Sequence, residues 1–164
     1  MRIREDLQSV DVLPVPEQVL SAQDPALALI IASQTDRWPT VPSEDPIWGL
    51  LRIVIAQQIS TVLADKMAER LISAHPFLTK PSSAEALELA SLRSIGLIES
   101  RARCCVKIIE RSDEIRTSVL RGETWEEALA GIKGIGPWTI RVFRIMVLRD
   151  PDVLPLGDIG LRPT

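Results

Sequence analysis

Apolar residues along this chain recur three and four positions apart, the period of a helix with one buried face. Ile47, Leu50, Leu51, Val54 and Ile55 form such a stripe behind Pro46, a residue suited to a first helical turn. Ile59, Leu63, Met67 and Leu71 continue the pattern. Ser82 with Glu85 has capping-box spacing and predicts a helix carrying Leu87 and Leu89, with Gly96 as its stop. Ala102, Cys105, Val106 and Ile109 give the buried face of the next helix. Thr124 with Glu127 is a second capping box, Gly131 a second stop and Pro137 a further helix start. No segment alternates with the two-residue period of a strand, so the expected fold class is all-α.

Composition narrows the picture further. A chain of 164 residues that is 46% hydrophobic with a net charge of −3 suits one domain, or two small lobes, with a real core, and excludes a disordered chain. It has no run of eighteen apolar residues, and Met1-Arg2-Ile3-Arg4 does not lead into one. No membrane association is therefore expected, and the expected location is cytoplasmic. The two cysteines, Cys104 and Cys105, are adjacent and too few for a four-cysteine zinc or iron–sulfur site, so they read as packing residues. His75, the lone histidine, reads as a helix end before Pro76. The charge is unevenly spread. Residues 1–46 carry three basic and eight acidic side chains, while residues 131–164 carry five basic and three acidic ones. Contact with a polyanion should run through the last fifth of the chain, as a local phosphate contact rather than a broad basic surface.

The most informative stretch is Gly131-Ile132-Lys133-Gly134-Ile135-Gly136-Pro137-Trp138-Thr139, a short glycine-rich turn between two predicted helices. It reads as a helix-hairpin-helix covering about residues 124–149. Gly134 and Gly136 would permit dihedrals closed to other residues and bare the backbone, while Ile132 and Ile135 would anchor the turn. N–H groups of Ile132, Lys133, Gly134, Ile135, Gly136 and Thr139, near the positive end of the following helix, suit a DNA phosphate contact that reads no sequence. The plain alternative is an ordinary tight turn between antiparallel helices.

Gly134-Ile135-Gly136-Pro137-Trp138-Thr139, followed by Leu154-Pro155-Leu156-Gly157-Asp158-Ile159-Gly160-Leu161-Arg162, closely resembles the helix-hairpin-helix DNA glycosylase superfamily, specifically its DNA-3-methyladenine glycosylase II branch. Upstream, Asp24-Pro25-Ala26-Leu27-Ala28, Ile55-Ala56-Gln57-Gln58-Ile59-Ser60 and Leu92-Arg93-Ser94-Ile95-Gly96-Leu97 with Arg101-Ala102 resemble further signatures in the same order, over about residues 19–162. The resemblance implies a six-helix lobe, residues 46–149, and a second lobe made from both chain ends, residues 1–45 with 150–164. That second lobe is expected to be incomplete, because the chain stops six residues past Asp158. A homo-oligomer would be one way to cover it.

The resemblance also implies roles. Asp158 would be the catalytic carboxylate, stabilising positive charge on the sugar as an N-glycosidic bond breaks or orienting the attacking water; read alone, it is equally an N-cap aspartate. Asp150 and Asp152, beside Pro151, are better read as turn residues. Gln58 would wedge into the stack vacated by a flipped nucleotide, with Gln57 and Ser60 beside it; read alone, the segment is equally a buried polar turn. Trp138 would line the base pocket, where an indole face attracts a cationic alkylated purine by about 0.5–2 kcal/mol. One turn on, Val142 stands where relatives often add an aromatic. Trp48 reads as core, and Trp38 and Trp125 are left open. Bifunctional relatives carry a lysine where this chain has Trp138, so a monofunctional enzyme is expected, acting on double-stranded DNA with alkylated bases and without strand-cleaving lyase activity. It would need no cofactor and no iron–sulfur cluster, with a monovalent cation allowed at the carbonyls of Ile132 and Ile135. The other reading is a degenerate, non-catalytic relative that binds DNA or a protein partner. The damaged base, whether 3-methyladenine, 7-methylguanine, hypoxanthine or ethenoadenine, is not chosen by the sequence.

Overall fold

The structure, a computed structural model, describes residues 16–34, 45–79, 87–122, 125–158 and 161. Among them every regular element is helical, as the periodicity predicts. Trp38, Ser82 with Glu85, Thr124, Ile159, Gly160 and Pro163 lie outside the described residues, so neither capping box is placed. The chain divides into two compact units, Met1–Trp38 and Pro39–Thr164.

The first unit pairs α1 (Pro16–Gln23) with α2 (Pro25–Ser33). Asp24 ends one and opens the other: its carboxylate accepts the N–H groups of Ala26 at 2.8 Å and Leu27 at 3.3 Å, satisfying donors that a first turn leaves unpaired.

The second unit is organised around α3 (Pro46–Ala56). Ile47, Leu50, Leu51, Val54 and Ile55 are each at most 1% exposed, and Trp48, Gly49 and Ile53 are buried too. The predicted stripe is therefore one face of a helix enclosed nearly all round, as a central helix must be. Asp45 caps it, accepting from Ile47 and Trp48, and also receives Arg116 Nε at 2.9 Å. Around α3 pack α4 (Thr61–Ala74), the 3₁₀ turn Pro76–Thr79, α6 (Glu99–Glu110), α7 (Ser112–Arg121) and α9 (Pro137–Phe143), which runs into a π-helical turn at Arg144–Leu148. The short α5 (Leu89–Ser94) packs on α6, and α8 (Trp125–Leu129) on α7.

Several expectations shift. In α4 the buried face is Ala64, Met67, Ala68 and Leu71, and Leu63 is 41% exposed. In α6 Cys104 and Ile108 join Ala102 and Cys105 in the core, while Val106 and Ile109 are only partly covered. Leu87 is buried but precedes its helix, which starts at Leu89. Gly96 and Gly131 stop their helices with positive φ, as predicted. His75 is the C-cap of α4, its ring bonded to Ser91 Oγ at 2.7 Å. Trp48 and Trp125 are core residues, the latter tilted on Phe143 at 5.4 Å. Loss of hydration pushes the Cys104 thiol up to about 11 and that of Cys105 to about 12, so both stay protonated at neutral pH.

Candidate active site

The hairpin follows from three local constraints. Ile132, 5% exposed, pins the turn to the core, Ile135 N–H closes it on the Ile132 carbonyl at 3.0 Å, and Pro137 starts α9. Gly134 has φ +104°, and a Cβ there would lie 3.2 Å from Cys104 Sγ, so both backbone and packing require glycine. Gly136 is different from the expectation. Its φ of −116° is open to any residue, and a Cβ there would meet nothing within 4 Å; what it provides is bare backbone facing open space. Lys133 and Gly134 are exposed. Thr139 is 3% exposed and its hydroxyl is turned inward, so of the predicted phosphate-contacting set it offers only backbone. The Ile132 carbonyl keeps a second lone pair beyond its bond to Ile135. Among the described residues no three His, Cys, Asp or Glu side chains converge as a metal site.

The turn after α3 meets this hairpin. Gln58 sits in the left-handed region at φ +56° with its side chain exposed, and Ser60 opens α4 by accepting Leu63 N–H at 3.4 Å. Gln57 points back: its amide donates to the Gly134 carbonyl at 3.2 Å and to the Thr139 hydroxyl at 3.1 Å.

The third component is the segment 154–158. Asp158 N–H bonds the Pro155 carbonyl at 3.0 Å across Gly157, which has φ +92°. Arg141 donates to the Leu156 carbonyl at 3.1 Å. Trp138 Nε1–H donates to Asp158 Oδ2 at 2.9 Å, a charge-assisted bond that fixes the carboxylate. Gln57, Gln58, Trp138, Gly157 and Asp158 together line an open cleft of about 310 Å³, inside the ~300–1,000 Å³ range of small-molecule sites. Four residues singled out from the sequence thus meet in one place, and Asp158 is only half-buried. Val142 does not line this cleft. It faces an adjoining apolar groove of about 350 Å³ shared with Trp138, Ile53, Ala56, Ile59 and Met146. Asp150 accepts Asp152 N–H at 3.0 Å and Arg144 Nε at 2.9 Å, which hold its carboxyl below the usual range and mark it as a turn residue.

Sequence reasoning missed Arg141, which sits one turn after Trp138 and could have been suspected from that spacing, and the indole N–H as the partner of Asp158.

No family model matches the chain. It is 30% identical over 162 residues to a probable bifunctional transcriptional activator/DNA repair enzyme AlkA of Mycobacterium tuberculosis, covering 90% of this chain and 32% of the relative. The chain therefore spans about a third of that relative's length. A DNA-3-methyladenine glycosidase structure from Bacillus halodurans superposes with a TM-score of 0.68 at 28% identity, covering 90% of this chain and 70% of that one. A Schizosaccharomyces pombe 3-methyladenine DNA glycosylase (Mag1) in complex with abasic DNA gives 0.67 at 23% identity over 89% and 76% of the two chains.

Proposed function

We propose that this chain, whose relatives and structural neighbours are DNA-3-methyladenine glycosylases consistent with the helix-hairpin-helix superfamily, is a base-excision glycosylase releasing alkylated purines from DNA. The observation that carries the reading is the carboxylate of Asp158, held by Trp138 at the edge of a cleft whose rim also bears the exposed Gln58. The reaction adds water across the N-glycosidic bond: the base leaves with the bonding electron pair, C1′ takes the hydroxyl of water, the remaining proton passes by way of the carboxylate to solvent, and an abasic site results. Ionised Asp158 opposes the positive charge that develops on the sugar and accepts a hydrogen bond from the attacking water. An alkylated purine is already cationic, so it departs as a neutral base and needs little protonation. With Trp138 at the position of the bifunctional enzymes' lysine, the chain presents no amine for a Schiff base there, and a monofunctional reaction follows.

DNA is the partner that the neighbour solved with abasic DNA supports. The bare backbone at Gly134 and Gly136 would take a phosphate, Gln58 would enter the vacated stack, and the flipped base would lie against the Trp138 ring. A monovalent cation, where bound by the Ile132 and Ile135 carbonyls, supplies further positive charge to that loop. Base release from methylated duplex DNA tests the reading. Wild type should release purine, and Asp158→Asn should be slower by about a hundredfold or more, the scale of a lost general base or charge stabiliser. Equal absence of release in both would overturn it.

A further inference from the structure

Gln57 joins segments far apart in the chain: its amide hydrogens reach the Gly134 carbonyl and the Thr139 hydroxyl, 77 and 82 residues away. Thr139 is the most enclosed polar residue among the described residues, at 3% exposure. A buried hydroxyl without a partner is costly, and Gln57 supplies that partner. Gly134 and Thr139 lie on the two sides of the Gly-Ile-Gly-Pro turn, so one amide spans the hairpin. Gln57 itself is the C-cap of α3, the most enclosed helix of the unit, and the residue that follows it is the exposed Gln58.

We infer that Gln57 is a positioning residue, locking the Gln58 turn to the hairpin so that wedge and strand grip move as one body. The inference rests on the glycosylase reading above. Extruding a nucleotide requires the wedge to press into the stack while the backbone grip holds the flanking strand. If the two shift independently, binding to the strand is not converted into distortion of it.

The test uses the full chain and a duplex carrying 2-aminopurine, whose fluorescence rises on unstacking without any bond being broken, with duplex affinity read by anisotropy. Gln57→Met, similar in length but without donors, should weaken unstacking on the order of tenfold while affinity falls less than about threefold, the scale set by two modest hydrogen bonds. Thr139→Val, which removes one of the two bonds, should show a smaller loss in the same direction, Thr139→Ser should keep wild-type behaviour, and the Gln57→Met/Thr139→Val double variant should be no worse than Gln57→Met alone. Should Gln57→Met fail to fold, Gln57→Glu serves, because a carboxylate there repels the Gly134 carbonyl and the same loss is expected. Wild-type unstacking in either Gln57 variant, additive losses in the double variant, or no unstacking by the wild type overturns the inference. A wild type that unstacks the probe as described yet releases no methylated base overturns the glycosylase reading alone.

Discussion

On one wall of the cleft the hairpin is anchored from beneath by Ile132, Thr139 and Cys104 and spanned by Gln57. In the other wall, residues 154–158, Leu154 is 63% and Leu156 60% exposed, and hydrogen bonds from Trp138 and Arg141 of α9 tie the segment down. The hairpin wall is thus held by packing, whereas hydrogen bonds from α9 hold the wall that carries the carboxylate. On the proposed function, packing of that kind should set duplex affinity and the tethers the rate at which bound DNA reacts.

The comparison breaks most visibly at the glycines. Gly134→Ala should cost about 2 kcal/mol of stability, from an L residue at positive φ pressed on Cys104, and should lower duplex affinity with it. Gly136→Ala, in permitted backbone with open space around it, should leave the thermal midpoint nearly unchanged and lower affinity alone. Equal thermal midpoints for the two variants would dissolve the distinction. Next in size, Trp138→Phe keeps a ring but removes the donor to Asp158; kcat should fall about tenfold, the scale of one bond to a charged group, with duplex Kd little changed. A change confined to Kd would place the indole in the grip instead. The smallest effect concerns the segment leading into the tethered wall. Asp150 has its folded-state pKa lowered first by Asp152 N–H and then by Arg144, so its contribution is full above the ordinary aspartate range and fades as pH falls through the folded value. The stability gap between wild type and Asp150→Asn, followed by denaturant titration from neutral pH downward, should shrink toward zero in acid; a gap that widens in acid contradicts the assignment.

What the sequence made legible was local. The α3 stripe, the stops at Gly96 and Gly131, and the hairpin depend on residues within a turn or two of one another, so spacing carries them. Trp138 and Asp158 were each singled out because both stand in short motifs of one resemblance, but the bond between them was not. The face of α4 was legible in part. Met67 and Leu71 of the predicted stripe are buried, whereas Leu63, in the first turn of α4, is exposed and Ala64 beside it takes the core position, a choice that spacing alone does not make between neighbouring apolar residues. The bonds of Gln57 to Thr139 and of Arg116 to Asp45, across 82 and 71 residues, join polar groups that leave no periodic trace, and only the folded chain brings them together.

The Asp45 carboxylate, with 6% of its side chain exposed, accepts both from the first turn of α3 and from Arg116 on α7. A helix of 11 residues is a rod of roughly 16 Å, clamped at this end and bearing the Gln58 tip at the other. That rod is held at both ends, by Asp45 and by the Gln57 amide, so on the proposed function a change at residue 45 or 116 would reach the Gln58 turn through the length of α3.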